Sequence, residues 1–250
     1  MADLVAINNK NHKNLRIDTS KAENHGADLN IVPVVINEFN NLAVQYPIVL
    51  TKNGDTGQFV FVAMLGFEPK ENLFWNNNHW EGIYLPLQIQ RQPFFVGQPN
   101  ESSNVEKSVA EQEYVVCFDQ NSPTIITDES DKDSGDAVFT ESGAETEFFQ
   151  QAKSRLGQLL QGESANKECI DALQELNLLQ PLSLEITFVN KKEKRLNGLY
   201  CINQEVLAKL DDATTLKLHK LGFLQPIYTM VTSLGQIYSL IDKKNKRLGN

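Results

Sequence analysis

The sequence predicts an α+β fold: a mixed or antiparallel sheet with an N-terminal hairpin, followed by a helix-rich C-terminal half. Three observations predict it. Short Val-, Ile- and Phe-rich runs bounded by turn residues gather early, leucine-periodic stretches gather late, and one alternating hairpin is embedded among the late helices. The regular strand–helix alternation of a doubly wound sheet is not present, which favours segregated α+β. At 250 residues, 41% hydrophobic and 22% charged, the chain has globular composition and enough length to bury a core. It reads as a single domain over 1–250, or as two closely packed halves, with surface loops near residues 98–112 and 127–143.

The first thirty residues are polar and Asn-rich and read as an irregular arm or short strand. Val34, Val35, Phe39, Leu42, Ala43 and Tyr46 then fall at three- and four-residue spacings, so a helix is predicted over 34–45, opened by Pro33 and stopped by Pro47. A β-branched run at 48–52, the turn residues Asn53-Gly54-Asp55 and a Val/Phe-rich run at 58–67 predict a hairpin. Residues 68–78 read as a loop or short helix. The aromatic stretch 80–95 contains Pro86 and Pro93, which argues against a central strand. Strands are predicted at 113–119 and, more briefly, at 124–127.

Residues 127–147 are the most acidic stretch. Phe148, Phe149, Ala152, Leu156, Leu159 and Leu160 share one face of a helix within 143–160, and Cys169, Leu173, Leu176 and Leu179 suggest a second over 165–178. The alternation Leu-Ser-Leu-Glu-Ile-Thr-Phe predicts a strand at 182–189, returning after a turn as an antiparallel partner at 195–203. Helices follow at 204–210, 213–221 and 225–243, with Gly222 a C-cap between the last two.

The formal charge of −9 and pI near 5.0 leave no basic surplus, which argues against nucleic acid and against anionic lipid as non-specific partners. No apolar run approaches the ~20 residues of a membrane-spanning helix, so no transmembrane insertion is expected. The N-terminal residues include an early acidic residue and no apolar centre, unlike a secretory signal. Cys117, Cys169 and Cys201 are odd in number, form no CxxC pair and sit beside apolar residues, which reads as free thiols in a reducing, cytoplasmic setting.

Candidate chemistry is sparse. His79-Trp80-Glu81 has the His-x-acid form that opens a two-His-one-carboxylate iron site, for which His219 is the distal candidate; the bland alternative is a surface histidine. His12 and His25 lack the close ligand pairing of zinc sites and read as structural or solvent-facing. Asp128, Asp131, Asp133 and Asp136 invite a calcium reading, but Gly135 and Ser142 fall where an EF-hand loop needs other residues, so a solvated acidic loop is expected. No nucleophile elbow, phosphate loop or dinucleotide fingerprint is present in the sequence. Both tryptophans lie in the stretch 72–95, where Asn72, Trp75, Trp80, Tyr84 and Arg91 are the candidate ligand or partner pocket. Arg91 beside aromatic residues suits a carboxylate or phosphate, or a ring face. The competing reading makes these rings core beneath a Pro-rich loop.

The same residues carry a family resemblance. Val32-Pro33-Val34, Glu38-Phe39, Tyr46-Pro47-Ile48-Val49, Glu71-Asn72-Leu73-Phe74, Tyr84-Leu85-Pro86 and Arg91-Gln92-Pro93-Phe94 resemble the signature of the SapC family. His12 with Leu15-Arg16, and later Gly198-Leu199-Tyr200, Leu221-Gly222-Phe223-Leu224 and Ser233-Leu234, are similar to its outer elements. The resemblance covers nearly the whole chain. It implies a soluble bacterial α+β protein whose label derives from a surface layer, distinct from the peptide-transporter permease of the same name. The expected function is a non-catalytic accessory or interaction protein, linked to surface layer or nutrient uptake, with a protein or small-ligand partner and no cofactor. The alternative is a metal-dependent enzyme of the non-haem iron type, acting on a small molecule or protein side chain. A cytoplasmic location is expected, the alternative being cell-surface association by signal-independent export.

Overall fold

The computed structural model describes residues 3–97, 114–126 and 134–249. In chain order the strands are β1 (Leu4–Ala6), β2 (Arg16–Ile17), β3 (Ile31–Pro33), β4 (Ile48–Lys52), β5 (Phe59–Met64), β6 (Trp75–Asn76) and β7 (His79–Trp80). Then come β8 (Phe94–Gly97), β9 (Val115–Asp119), β10 (Asp136–Ala137), β11 (Leu179–Pro181), β12 (Leu184–Thr187), β13 (Glu193–Leu196) and β14 (Leu199–Ile202). The helices are α1 (Phe39–Leu42), α2 (Leu87–Gln90), α3 (Glu147–Glu175), α4 (Gln204–Leu207), α5 (Asp212–Lys220), α6 (Leu224–Ser233) and α7 (Gln236–Gly249). Every strand pairing among the described residues is antiparallel and most helical residues fall after 146, so the fold is α+β.

The chain divides into two compact units, each assembled from two separated stretches: Met1–His25 with Ile89–Gln158, and Gly26–Gln88 with Leu159–Asn250. In the first, β9 lies between β1 and β8, and β10 pairs with β2. Its core gathers Ile17, Phe94, Phe118, Val138, Phe139, Phe149, Ala152 and Leu156. The N-terminal stretch is therefore more than an arm: it supplies two strands, a 3-10 turn over Thr19–Gly26 and the fully buried Ile17. Arg16 fixes it by donating from Nε to Ser134 O and from Nη2 to Gly135 O, both at 2.8 Å. The predicted strand at 113–119 is β9, while the predicted loop at 98–112 lies outside the described residues.

The second unit is built on a five-stranded sheet in the order β11-β14-β4-β5-β3. The predicted hairpin is β4–β5, in register from Ile48 opposite Ala63 to Lys52 opposite Phe59. Asn53 closes its turn by accepting from the N–H groups of Asp55 and Thr56. The predicted helix at 34–45 is corrected. Pro33 ends the edge strand β3, Val35 is extended at φ −113°, and helical turns begin only at Ile36, running through a 3-10 turn into the short α1. Proline suits an edge strand because its missing N–H faces no partner there. The strand predicted over 195–203 is also two elements. Gly198, at φ +75°, turns the chain so that β13 pairs with β12 while β14 enters the main sheet beside β4.

Two predicted helices, at 143–160 and 165–178, are one continuous helix, α3, of 29 residues. Conversely, the single helix predicted at 225–243 is α6 and α7, divided around Gly235. Asn203 caps α4 by accepting from Glu205 N and Val206 N, and Asp211 caps α5 by accepting from Thr214 N. Among the described residues no helix is long and apolar enough to cross a membrane.

Candidate functional site

The second unit holds a cleft of about 500 Å³ at the uncovered end of β5. Its origin is a mismatch in strand length. β3 pairs Ile31, Val32 and Pro33 with Met64, Ala63 and Val62, and Val34 N adds one bond to Phe61 O at 3.0 Å. The chain then turns away, so among the described residues Phe59 and Val60 have no strand neighbour on that side. The second half of α3 forms the opposite wall. It is held at the sheet edge by Asn166, whose Nδ2 donates to Val34 O at 2.8 Å while its Oδ1 accepts from Ile36 N at 2.9 Å. Close approach is possible because residue 162 is glycine: a Cβ there would lie 2.5 Å from Val35 Cβ.

The cleft is apolar along Phe59, Phe61 and Ile170 and charged along α3 at Glu163, Lys167 and Asp171. Lys167 Nζ pairs with Asp171 at 3.0 Å, both side chains being mostly exposed. The lining carries one hydroxyl, that of Thr56, and two carboxylates, Glu163 and Asp171. Those carboxylates are eight positions apart on one helix, roughly 12 Å along its axis. The groups present suit recognition of a partly apolar ligand. Sequence reading missed this cleft, since the α3 residues look like an ordinary solvent face.

The residues singled out from sequence lie elsewhere. Trp80 is 3% exposed and its Nε1 donates to Tyr46 Oη at 3.1 Å; Tyr46 Oη in turn donates to Tyr84 O at 2.6 Å. Gly82 closes over this pair, leaving no room for a Cβ beside Tyr46 Oη. Tyr84 Oη donates to Glu38 Oε2 at 3.1 Å, which also accepts from Leu87 N, while Glu38 Oε1 accepts from Val35 N. Burial pushes the Glu38 carboxyl above the usual carboxylate range, against the opposing effect of these three donors. Burial likewise raises the Tyr46 hydroxyl, partly offset by Trp80. Asn72 is 3% exposed, donating from Nδ2 to Gly26 O and accepting from Phe74 N. Trp75 is half-buried, and its carbonyl, with that of Asn72, accepts from Arg247 of α7.

Arg91 belongs to the first unit, apart from the other four in that division. Its guanidinium carbon sits 4.1 Å from the centre of the Phe95 ring, and Nη1 donates to Phe94 O at 2.9 Å. His25 of the same unit contacts Ser122 Oγ at 3.1 Å, and burial chiefly lowers its pKa. His12 stands edge-on to Phe118, with Nδ1 accepting from Asn8 N.

The alternative iron triad is not assembled. His79 and Glu81 are exposed on either side of buried Trp80, as alternation predicts, and His219 is exposed on α5. Among the described residues no three His, Cys, Asp or Glu side chains are grouped to hold a metal ion. Asp128, Asp131 and Asp133 lie outside the described residues; Asp136 accepts from Thr19 Oγ1 at 3.1 Å. The described cysteines are free, and burial pushes the Cys169 thiol up to about 12.

No curated protein and no solved structure matches the chain. One family model does, SapC, over residues 7–240. That span takes in the whole cleft and the Trp80–Tyr46–Tyr84–Glu38 network, and the chain belongs to the SapC family.

Proposed function

We propose that this chain is a non-catalytic binding protein, and that the cleft between the open end of β5 and the second half of α3 is where it takes its partner or ligand. The observation that carries the reading is the lining itself, an apolar floor beside a mixed-charge wall. The aromatic stretch supports it from a different direction, because the side chains of Asn72 and Trp80 take part in internal hydrogen bonds that hold the scaffold. An accessory role linked to a surface layer or to uptake fits a protein that binds without turnover. The proposal includes a cytoplasmic location, which three free thiols support; fractionation of native cells tests that part.

Hydrogen exchange tests the site. Adding extract of the native cell is expected to protect amides in 56–61 and 163–174 together, and Ile170→Arg is expected to abolish that protection. Protection confined to other segments, or turnover of a defined substrate by the purified chain alone, overturns the reading.

A further inference from the structure

We propose that the second unit also carries a docking face for an anionic lipid surface, built where the β12–β13 turn meets α7. The net charge of −9 hides an uneven distribution. Residues 188–196 and 241–249 together hold eight of the chain's 23 Lys and Arg but only two of its 32 Asp and Glu. These eighteen residues carry a formal +6, against −15 on the rest. The fold joins the two stretches: Val189 N donates to Asn245 Oδ1 at 3.0 Å, and Lys244 Nζ lies 6.0 Å from the centre of the Phe188 ring.

Half of the cations are engaged with other groups of the fold. Lys194 pairs with Glu68 and Lys244 with Glu71, Lys243 lies over the Phe74 ring, and Arg247 donates to the carbonyls of Asn72 and Trp75. Lys191, Lys192, Arg195 and Lys246 face outward. The pairs Arg195–Glu185, at 3.9 Å, and Lys246–Asp242, at 2.7 Å, involve side chains at least 60% exposed, so solvent leaves these cations available to a stronger partner.

Two apolar side chains accompany them. Val189, at the turn, is 61% exposed and Leu248 is 38% exposed. Leu248 follows Asn245 by three positions, the spacing that places both on one helix face, and Asn245 is the residue that holds the turn. An apolar tip flanked by lysines matches a lipid interface, where cations meet headgroup phosphates and apolar side chains enter the acyl boundary. A nucleic-acid backbone offers the phosphates without a place for Val189 and Leu248, which selects lipid over nucleic acid. The surface supports docking rather than insertion and is independent of the cleft.

Cosedimentation of the full chain with vesicles tests it. Binding is expected to equal parts of phosphatidylglycerol and phosphatidylcholine at low salt, to fall at high salt, and to be absent with phosphatidylcholine alone. Each cation near an anionic surface contributes about fivefold, so Lys191→Glu/Lys192→Glu is expected to weaken binding about 30-fold or more. Val189→Ser is expected to weaken it at unchanged charge, and the charge-matched control Lys217→Glu/Lys220→Glu on α5 to leave it nearly unchanged. No binding by the native chain at low salt overturns the proposal, as does equal loss in the α5 control. Retention by Val189→Ser together with comparable affinity for duplex DNA marks a phosphate-only surface and overturns the lipid assignment.

Discussion

Two glycines five positions apart on α3 are expected to respond to alanine with opposite signs. At Gly157 a Cβ meets nothing within 4 Å, whereas at Gly162 it would lie 2.5 Å from Val35 Cβ and 2.8 Å from both Val35 Cγ atoms. Replacing Gly157 in the helix interior stabilises by about 1 kcal/mol through backbone entropy. The same gain is available at Gly162 but is outweighed. Relieving the overlap needs a displacement on the order of 1 Å, and such overpacking costs about 1–3 kcal/mol. The displacement also stretches the two Asn166 bonds to Val34 O and Ile36 N, four residues along the same face, each contributing about 1 kcal/mol. The net for Gly162→Ala is a loss of about 2 kcal/mol or more. The two variants should therefore separate by about 1 M in urea midpoint. Far-ultraviolet circular dichroism follows both variants, and tryptophan fluorescence isolates the unit holding Gly162, where both Trp75 and Trp80 lie. If Gly162→Ala raises the midpoint as Gly157→Ala does, the close approach of α3 to Val35 is not what keeps glycine at that position.

Glu38 makes stability pH-dependent in a defined direction. Its folded pKa is raised, so its contribution is full below the ordinary value of 4.5 and declines as pH rises through the folded value. Glu38→Gln sets an amide donor against one of the N–H groups and costs about 1–3 kcal/mol; the wild-type advantage, measured by urea titration, is expected to be greatest near pH 4.5 and to shrink as pH rises. Tyr46→Phe removes both the donor to Tyr84 O and the acceptor of Trp80 Nε1, and thermal melting should show a loss of about 1–3 kcal/mol; an unchanged melt counts against the network as a structural lock. Alkylation at mildly alkaline pH is expected to label half-buried Cys117 well before Cys169, whose thiol is buried and raised to about 12, and mass spectrometry of the native chain reads the order directly.

Where the structure follows local signals, the sequence is easy to read. The β4–β5 hairpin rests on a β-branched run, a Val/Phe-rich run and a turn whose asparagine caps it from within, all inside seventeen residues. Pro33 shows the limit of such reading. Proline suits a helix start and an edge-strand end equally well, and the outcome is decided by Ala63 and Val62, some thirty positions away. The break expected inside α3 follows from reading two apolar clusters as two helices, when residues 161–164 between them continue the helix and Gly162 lets it approach Val35. The same holds for 195–203: its partner in the main sheet is β4, which no local pattern announces. The prominence of the 72–95 aromatic stretch was legible, but the partners of Trp80 and Tyr84 are Tyr46 and Glu38, 34 and 46 positions back. The cleft depends on where β3 ends and where α3 lies, neither of which is written in the residues that line it. Net charge is silent in a related way, because a sum over the chain does not report a patch made by two distant stretches.

The position of β14 bears on how the protein is made. β4 emerges early from the ribosome with Ile48, Val49 and Leu50, all buried in the finished sheet, and pairs at once with β5 on one side. Its other side waits for Leu199 and Tyr200, which align with Thr51 and Leu50. At roughly 5–20 residues per second that interval is roughly 10–30 s. Throughout it a hydrophobic hairpin presents an open edge, the kind of surface that recruits neighbouring nascent chains or a chaperone. Slowing translation across 53–198 is therefore expected to increase the aggregated fraction of the product, read by sedimentation of the expressed chain, without altering a single contact of the native state.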